Sequence, residues 1–189
     1  MKKRCISICY AKYRPSEAIS AIRVRPAAGA PQRGWLTAEH LTIPVALGRS
    51  GIQANKREGD GATPRGSFRP RQLWWRADRH SRPQTLLPTR PIGVQDAWCE
   101  DLNDRRYNRP IRLEREQSGD RLRRADDLYD FVVEIDHNSR PRIKGRGSAV
   151  FLHLAREKFG PTAGCISMKK SSMLQLLRRL GPQTRIIIG

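Results

Sequence analysis

No stretch of this 189-residue chain approaches the roughly 18–20 consecutive apolar residues that a membrane-spanning helix requires. Mean hydropathy is −0.66, so the sequence excludes a helical membrane protein. Lysine is scarce: eight of the 37 basic residues, the rest being arginine, stand against only 18 acids, for a net charge of +19. Cysteine occurs four times, at Cys5, Cys9, Cys99 and Cys165. Cys5 and Cys9 have three residues between them and no companion Cys/His pair, which argues against zinc and leaves no metal site to name. A Cys5–Cys9 bridge is allowed but nothing indicates it. There are no internal repeats and no zinc-finger, RRM or helix-turn-helix signature.

A pI near 11.1 ordinarily raises nucleic-acid binding. Here the basic groups, 1–4, 65–82, 105–124 and 140–146, are dispersed and broken by proline or acids. Nucleic acid is therefore disfavoured as a partner. The plain reading is an arginine-rich surface; the functional one is attraction to a polyanion, for which an anionic wall polymer serves as well as DNA. The start, Met1-Lys2-Lys3-Arg4, has the charge of a signal peptide. The apolar run over 5–11 is too short and too polar for an h-region, and no twin-arginine motif follows. Export by another route, a start inside a longer chain and a cytoplasmic location are all compatible with it.

The organisation reads as a tail over 1–16 and one domain over 17–189. A strand is expected over 17–25, a Pro/Gly/Ala loop over 26–33, and a strand pair or one long strand over 35–47. A glycine-rich loop spans 48–66, and a strand interrupted by Pro70 spans 67–75. Residues 77–95 show no periodicity and hold three prolines, which suggests a loop lining or gating a cleft. Residues 101–116 continue as loop. Strands follow over 128–136, where Tyr129, Phe131, Val133 and Ile135 alternate with more polar residues, and over 148–154. Met173, Leu176, Leu177 and Leu180 fall on one helical face, closed by Gly181-Pro182, and a last strand covers 184–188. The fold class is α+β and β-rich: a β-sandwich or flattened barrel with a C-terminal helix packed on it.

The chemistry concentrates near the C-terminus. Phe151-Leu152-His153 ends an apolar strand, and Cys165 lies twelve positions later within Thr162-Ala163-Gly164-Cys165-Ile166-Ser167-Met168. A free cysteine or a strand histidine is by default a core residue. The preceding glycine turn and the paired base reverse that default: Cys165 reads as a nucleophile and His153 as its general base. Alternation sends Phe151 and His153 to one sheet face and Leu152 and Leu154 to the other. A helix start just after Cys165 is expected to favour its thiolate. The N–H groups of Gly164 and Cys165 are the natural oxyanion donors. Arg146 is a candidate for binding a substrate carboxylate, with a solvated loop arginine as the alternative. Thr162 either contacts substrate or stabilises the turn. Trp98, Tyr107 and Asn108 either line the cleft or pack the core. Cys99, flanked by acids, should be the poorer nucleophile.

These residues resemble the L,D-transpeptidase catalytic domain of the YkuD type. The match rests on His153, on Thr162-x-Gly164-Cys165 with Ile166-Ser167-Met168, and on Asp60-Gly61-Ala62-Thr63-Pro64-Arg65-Gly66-Ser67-Phe68 upstream. Leu154, Ala163 and Ser167 stand where many members have Gly, His and Arg or Asn, which marks a divergent subgroup. The resemblance implies peptidoglycan stem peptides as donor and acceptor, a Cys165 acyl-enzyme, carbapenem sensitivity and no cofactor. It also implies that the Leu154 carbonyl orients His153, and that the periplasm or wall is the site of action. The alternatives are an L,D-carboxypeptidase or another Cys/His amidase acting on wall peptides. From a different class, an inactive basic polyanion-binding protein also fits.

Overall fold

The computed structural model describes residues 18–114 and 119–189. The tail expected over 1–16, with Cys5 and Cys9, lies outside the described residues, as does Glu17.

Strands β1 (Ala21–Ala27) and β2 (Ala30–Ala38) form a hairpin. Its turn uses Gly29 at φ 70°, a conformation that costs other residues energy. β3 (Leu41–Ala46) returns antiparallel to β2. The loop expected over 26–33 is therefore mostly strand. Pro26 is tolerated because the register shifts beside it, and such a bulge absorbs a missing N–H donor.

The glycine-rich segment contains only β4 (Ile52–Gln53) and β5 (Thr63–Pro64), paired parallel. β6 (Gly66–Phe68) and β7 (Pro70–Trp75) follow, separated at Arg69 next to Pro70 as expected. β8 (Thr89–Pro91) lies along β7. A separate three-stranded sheet is built from β9 (Asp96–Trp98), β10 (Pro110–Arg112) and β11 (Asp120–Arg121) in the order β10-β9-β11. β12 (Phe131–Ile135), β13 (Phe151–Leu154) and β14 (Ile166–Met168) lead to helix α1 (Lys170–Leu177) and β15 (Arg185–Ile188).

Ten strands make the main sheet, in the order β6-β15-β1-β2-β3-β14-β13-β12-β7-β8. One face of nearly all of them feeds a single core: Ile22, Val24, Leu36, Val45, Leu73, Val133, Leu152, Ile166 and Ile186 share it. A sheet can bury one face so completely only by curling around it. Helix α1 fills the enclosed space with Met173, Leu176 and Leu177, all fully buried. The helix ends before Gly181-Pro182. Arg179 and Leu180 instead make tighter i−3 bonds to Leu176 and Leu177. Leu180 still reaches the core, and Thr184 ties the following turn to Ile19 through its hydroxyl. The class is thus α+β and β-rich, a curled sandwich carrying one short helix near the C-terminus.

The opposite face of β7, β12 and β13 is covered too. Trp74, Val132 and Phe151 pack there against Trp98 and Leu122 of the small sheet region. Tyr129 joins this second cluster rather than the Phe131 face, because the strand begins only at Phe131 and the 128–130 segment does not keep its alternation.

Residues 77–95 depart from expectation. They line no cavity at the candidate site. Instead Leu87 is buried in the main core, Thr85 reaches the Leu180 carbonyl, and His80 contacts buried Asp130 at 2.6 Å. The segment lacks periodicity because it is tied down by isolated anchors. Leu87→Ala should accordingly cost about 2–5 kcal/mol in urea unfolding. A changed KM with unchanged stability would return the segment to a gating role.

Candidate active site

β13 and β14 run parallel with His153 opposite Ser167 and Leu152 opposite Ile166. Side chains of partnered residues share a face, and the period along a strand is two. His153 and Ser167 therefore point away from the core, and Cys165, two residues before Ser167, points the same way. The packing agrees: Leu152, Leu154, Ile166 and Met168 sit in the main core, while Phe151 and Cys165 sit in the second cluster. His153 and Cys165 both line a cavity of about 560 Å³ on that outer face.

The glycine-rich segment and the cysteine loop meet at the end of β3. Thr162 N–H donates to the Leu47 carbonyl, and Arg49 N–H donates to the Thr162 carbonyl. Gly48 N–H donates to the Thr63 hydroxyl at 2.8 Å. The Thr63-Pro64 segment thus braces the turn that presents the cysteine. Within that turn Gly164 has φ 147°, and a Cβ there would lie 2.8 Å from the Ala62 carbonyl oxygen. Only glycine fits. Thr162 spends its hydroxyl inside the turn, donating to the Cys165 carbonyl at 2.6 Å and accepting from Gly164 N–H at 3.1 Å.

The imidazole is oriented by the backbone. His153 Nδ1 lies 2.8 Å from the Leu154 carbonyl oxygen. A carbonyl can only accept, so the proton sits on Nδ1 and Nε2 keeps its lone pair. The Tyr129 ring meets the imidazole edge-on at 5.3 Å, and the Tyr129 hydroxyl donates to Asp120 at 2.8 Å.

The thiol is stored as an acid. Cys165 Sγ donates to the Ala149 carbonyl at 3.1 Å and accepts from Phe151 N–H at 3.4 Å. Burial, with the Asp120 and Glu100 charges adding to it, pushes the thiol up to about 12. Burial likewise lowers His153 to about 4, helped by Arg124 and Arg156. Both groups are neutral at pH 7. This corrects the expected thiolate at a helix start: Cys165 leads into strand β14, and α1 begins five residues later at Lys170.

The remaining sequence candidates separate. Trp98, Tyr107 and Asn108 are buried behind the cavity wall and do not line it. Asn108 accepts from Trp98 Nε1 at 2.9 Å and from Ala149 N–H at 3.2 Å, and its amide donates to the His137 and Asn138 carbonyls. It thereby fixes Ala149, the residue that holds the thiol, in a left-handed conformation at φ 50°. Tyr107 gives its hydroxyl proton to Glu58. Arg146 is exposed and outside the cavity; its backbone is what is engaged, its N–H donating to the Ile143 carbonyl and its carbonyl bonded by His137. Cys99 is buried, and burial first of all raises its thiol, so it is inert for a different main reason than its acidic neighbours.

The cavity's cations are Arg49, Lys56, Arg124 and Arg156, and its acids are Glu58, Glu100 and Asp120. Sequence reasoning missed most of these. Lys56 had a signal, being a lysine inside the glycine-rich motif. It is 5 % exposed, and its ammonium bonds Asp60 and the Arg57 carbonyl. Burial alone would raise the Asp60 carboxyl; Lys56 and the N–H groups of Arg57 and Ala62 hold it below its usual range.

The neutral imidazole has a consequence for stability. Below pH 6.5 the unfolded chain binds a proton at His153 that the folded chain refuses until about pH 4. Stability from this group is therefore complete above pH 6.5 and is lost as pH falls toward 4, by on the order of 3 kcal/mol. Urea unfolding between these limits should show that loss, and His153→Gln should flatten it. An unchanged slope in the variant would assign the acid sensitivity to another group.

Compared with known protein families, residues 32–188 match YkuD, the L,D-transpeptidase catalytic domain. The comparisons with curated proteins and with solved structures found no match. The matched span includes the glycine-rich segment, His153, the cysteine turn and almost the whole main sheet. The chain therefore belongs to the YkuD family of L,D-transpeptidase catalytic domains, whose members are cysteine-dependent enzymes acting on peptidoglycan peptides.

Proposed function

We propose that this protein is a peptidoglycan L,D-transpeptidase working through a Cys165 thioester, in the periplasm or wall where that substrate lies. The observation that carries the reading is the placement of His153 and Cys165 on one face of two adjacent parallel strands, lining one cavity, with His153 Nδ1 tied to the Leu154 carbonyl.

On substrate binding the thiol leaves the Ala149 carbonyl and gives its proton to His153 Nε2 as sulfur attacks the stem-peptide carbonyl carbon. A neutral thiol and a neutral imidazole are the correct starting forms for this concerted transfer. The tetrahedral oxyanion is met by Cys165 N–H and by Gly164 N–H, which exchanges the Thr162 hydroxyl for it. His153 then returns the proton to the departing amine, leaving the thioester. A second amine attacks that thioester, gives its proton to His153 and expels the sulfur, which recovers the proton. Water in place of the amine gives the L,D-carboxypeptidase outcome from the same acyl-enzyme. Arg124 and Arg156, which bear on His153, and Arg49 offer the carboxylate contacts for which Arg146 is badly placed.

Covalent capture tests the assignment. A carbapenem should add once per chain, on Cys165 and not on buried Cys99, and Cys165→Ser should abolish the adduct. Acylation by a stem tetrapeptide should fall on the order of 10²–10⁴-fold in His153→Ala. Muropeptide products read by mass spectrometry separate crosslinking from trimming. An adduct on Cys99, or normal turnover without His153, would overturn the mechanism.

A further inference from the structure

The outward face of β15, β1, β2 and β3 lies open to solvent and carries charge of one sign. Arg23 and Arg25 on β1, Arg33 on β2 and Arg185 on β15 all project from it and are exposed. No acidic residue occurs in any of these four strands. Arg185 reaches the Ser67 hydroxyl. Arg23, Arg25 and Arg33 have no side-chain partner among the described residues. Elsewhere arginines are commonly paired, as Arg76 is with Asp78 and Arg124 with Asp126. Trp35 stands directly opposite Arg25 on this face and is 48 % exposed. A large indole left in water among uncompensated cations marks a contact surface.

The face leads to the cavity. Arg33 is partnered with Ala46, Ala46 with Ser167, and Ser167 with His153. One cross-strand row thus runs from an exposed arginine to the proposed base. It crosses three strand spacings, about 14 Å. Trp35 lies two residues along β2, about 7 Å further.

Charge excludes two occupants. A second copy of this chain also carries +19, and the chain's own first residues include Lys2, Lys3, Arg4, Lys12 and Arg14. The occupant is anionic. Successive stacked bases of a single strand need several aromatic rings, and this face offers one. A single Trp beside cations suits the flat apolar side of a sugar ring whose polymer bears carboxylates. We propose that this face grips a carboxylate-bearing glycan polymer and feeds its attached peptides toward the cavity; the choice of glycan rests on the proposed function, whereas the polyanion site does not.

The test uses the full chain with Cys165→Ala, so that binding is read without chemistry. Co-sedimentation with insoluble peptidoglycan sacculi at low ionic strength should show saturable retention that salt weakens. The combined Arg23→Gln, Arg25→Gln, Arg33→Gln variant should bind about tenfold or more weakly, and Trp35→Ala should also lose affinity. Sacculi whose carboxylates are amidated should bind neither parent nor variants. With Cys165 restored, all variants should be acylated by a small soluble stem peptide at the parental rate and melt at the parental temperature. Parental retention of the arginine variant, or equal binding to amidated sacculi, would overturn the proposal. So would tighter binding to a single-stranded oligonucleotide than to sacculi, lost in the same variants. Failure of acylation alone, with binding intact, would instead strike the proposed function.

Discussion

Everything at the site depends on the parallel register between β13 and β14. With His153 opposite Ser167, the imidazole and the thiol emerge on the same side of the sheet. A slip of one residue on either strand would send one partner into the main core and bring Leu or Ile out. That register is held from both sides. The core face is locked by Leu152, Leu154, Ile166 and Met168, which have no other place to go. The entry to β14 is locked by the Leu47–Thr162 and Gly48–Thr63 bonds. The glycine-rich motif thus has a structural explanation: its threonine pins the turn, and its glycines permit the approach.

The charges are arranged as unevenly as the apolar groups. The thiol feels the carboxylates of Asp120 and Glu100, while the imidazole feels the guanidinium groups of Arg124 and Arg156. Each keeps its neighbour in the uncharged form, and burial does most of that work. Tyr129 connects the two sides, with its ring on His153, its hydroxyl on Asp120 and Arg124 over its π-face. Separating the pair's ionisation in this way means that charge appears on the thiol and the imidazole only when a reaction creates it.

Part of this was legible in the chain. His153 and Cys165 could be read because a glycine-cysteine turn after an apolar strand is locally distinctive, and strict alternation fixed which way His153 faces. The Met173, Leu176, Leu177 stripe gave the helix for the same reason. What failed depended on distant partners. The parallel pairing of β1 with β15 joins opposite ends of the chain, and no local pattern reports it. Trp98, Tyr107 and Asn108 were recognisable as important polar or aromatic residues, but only the fold shows that Asn108, itself bonded by Trp98, braces Ala149 while Tyr107 holds Glu58. The expected thiolate was wrong because Ile166–Met168 is a buried strand, whose apolar environment overrides any distant helix terminus. Arg146 and Arg156 look alike in sequence; a loop direction decides that one faces water and the other the cavity.

Ala149 protects the sulfur as well as positioning it. Its carbonyl holds the Cys165 thiol, and its own N–H is held by Asn108. Oxidation of cysteine to sulfenic acid proceeds through the thiolate and requires access. A sulfur that is protonated, hydrogen-bonded and almost wholly buried where it borders the cavity offers little of either. The proposed nucleophile thus resists peroxide and disulfide exchange while idle, in contrast to redox-sensing cysteines that are ionised and open. The contacts that keep the thiol protonated are the same ones that slow its oxidation.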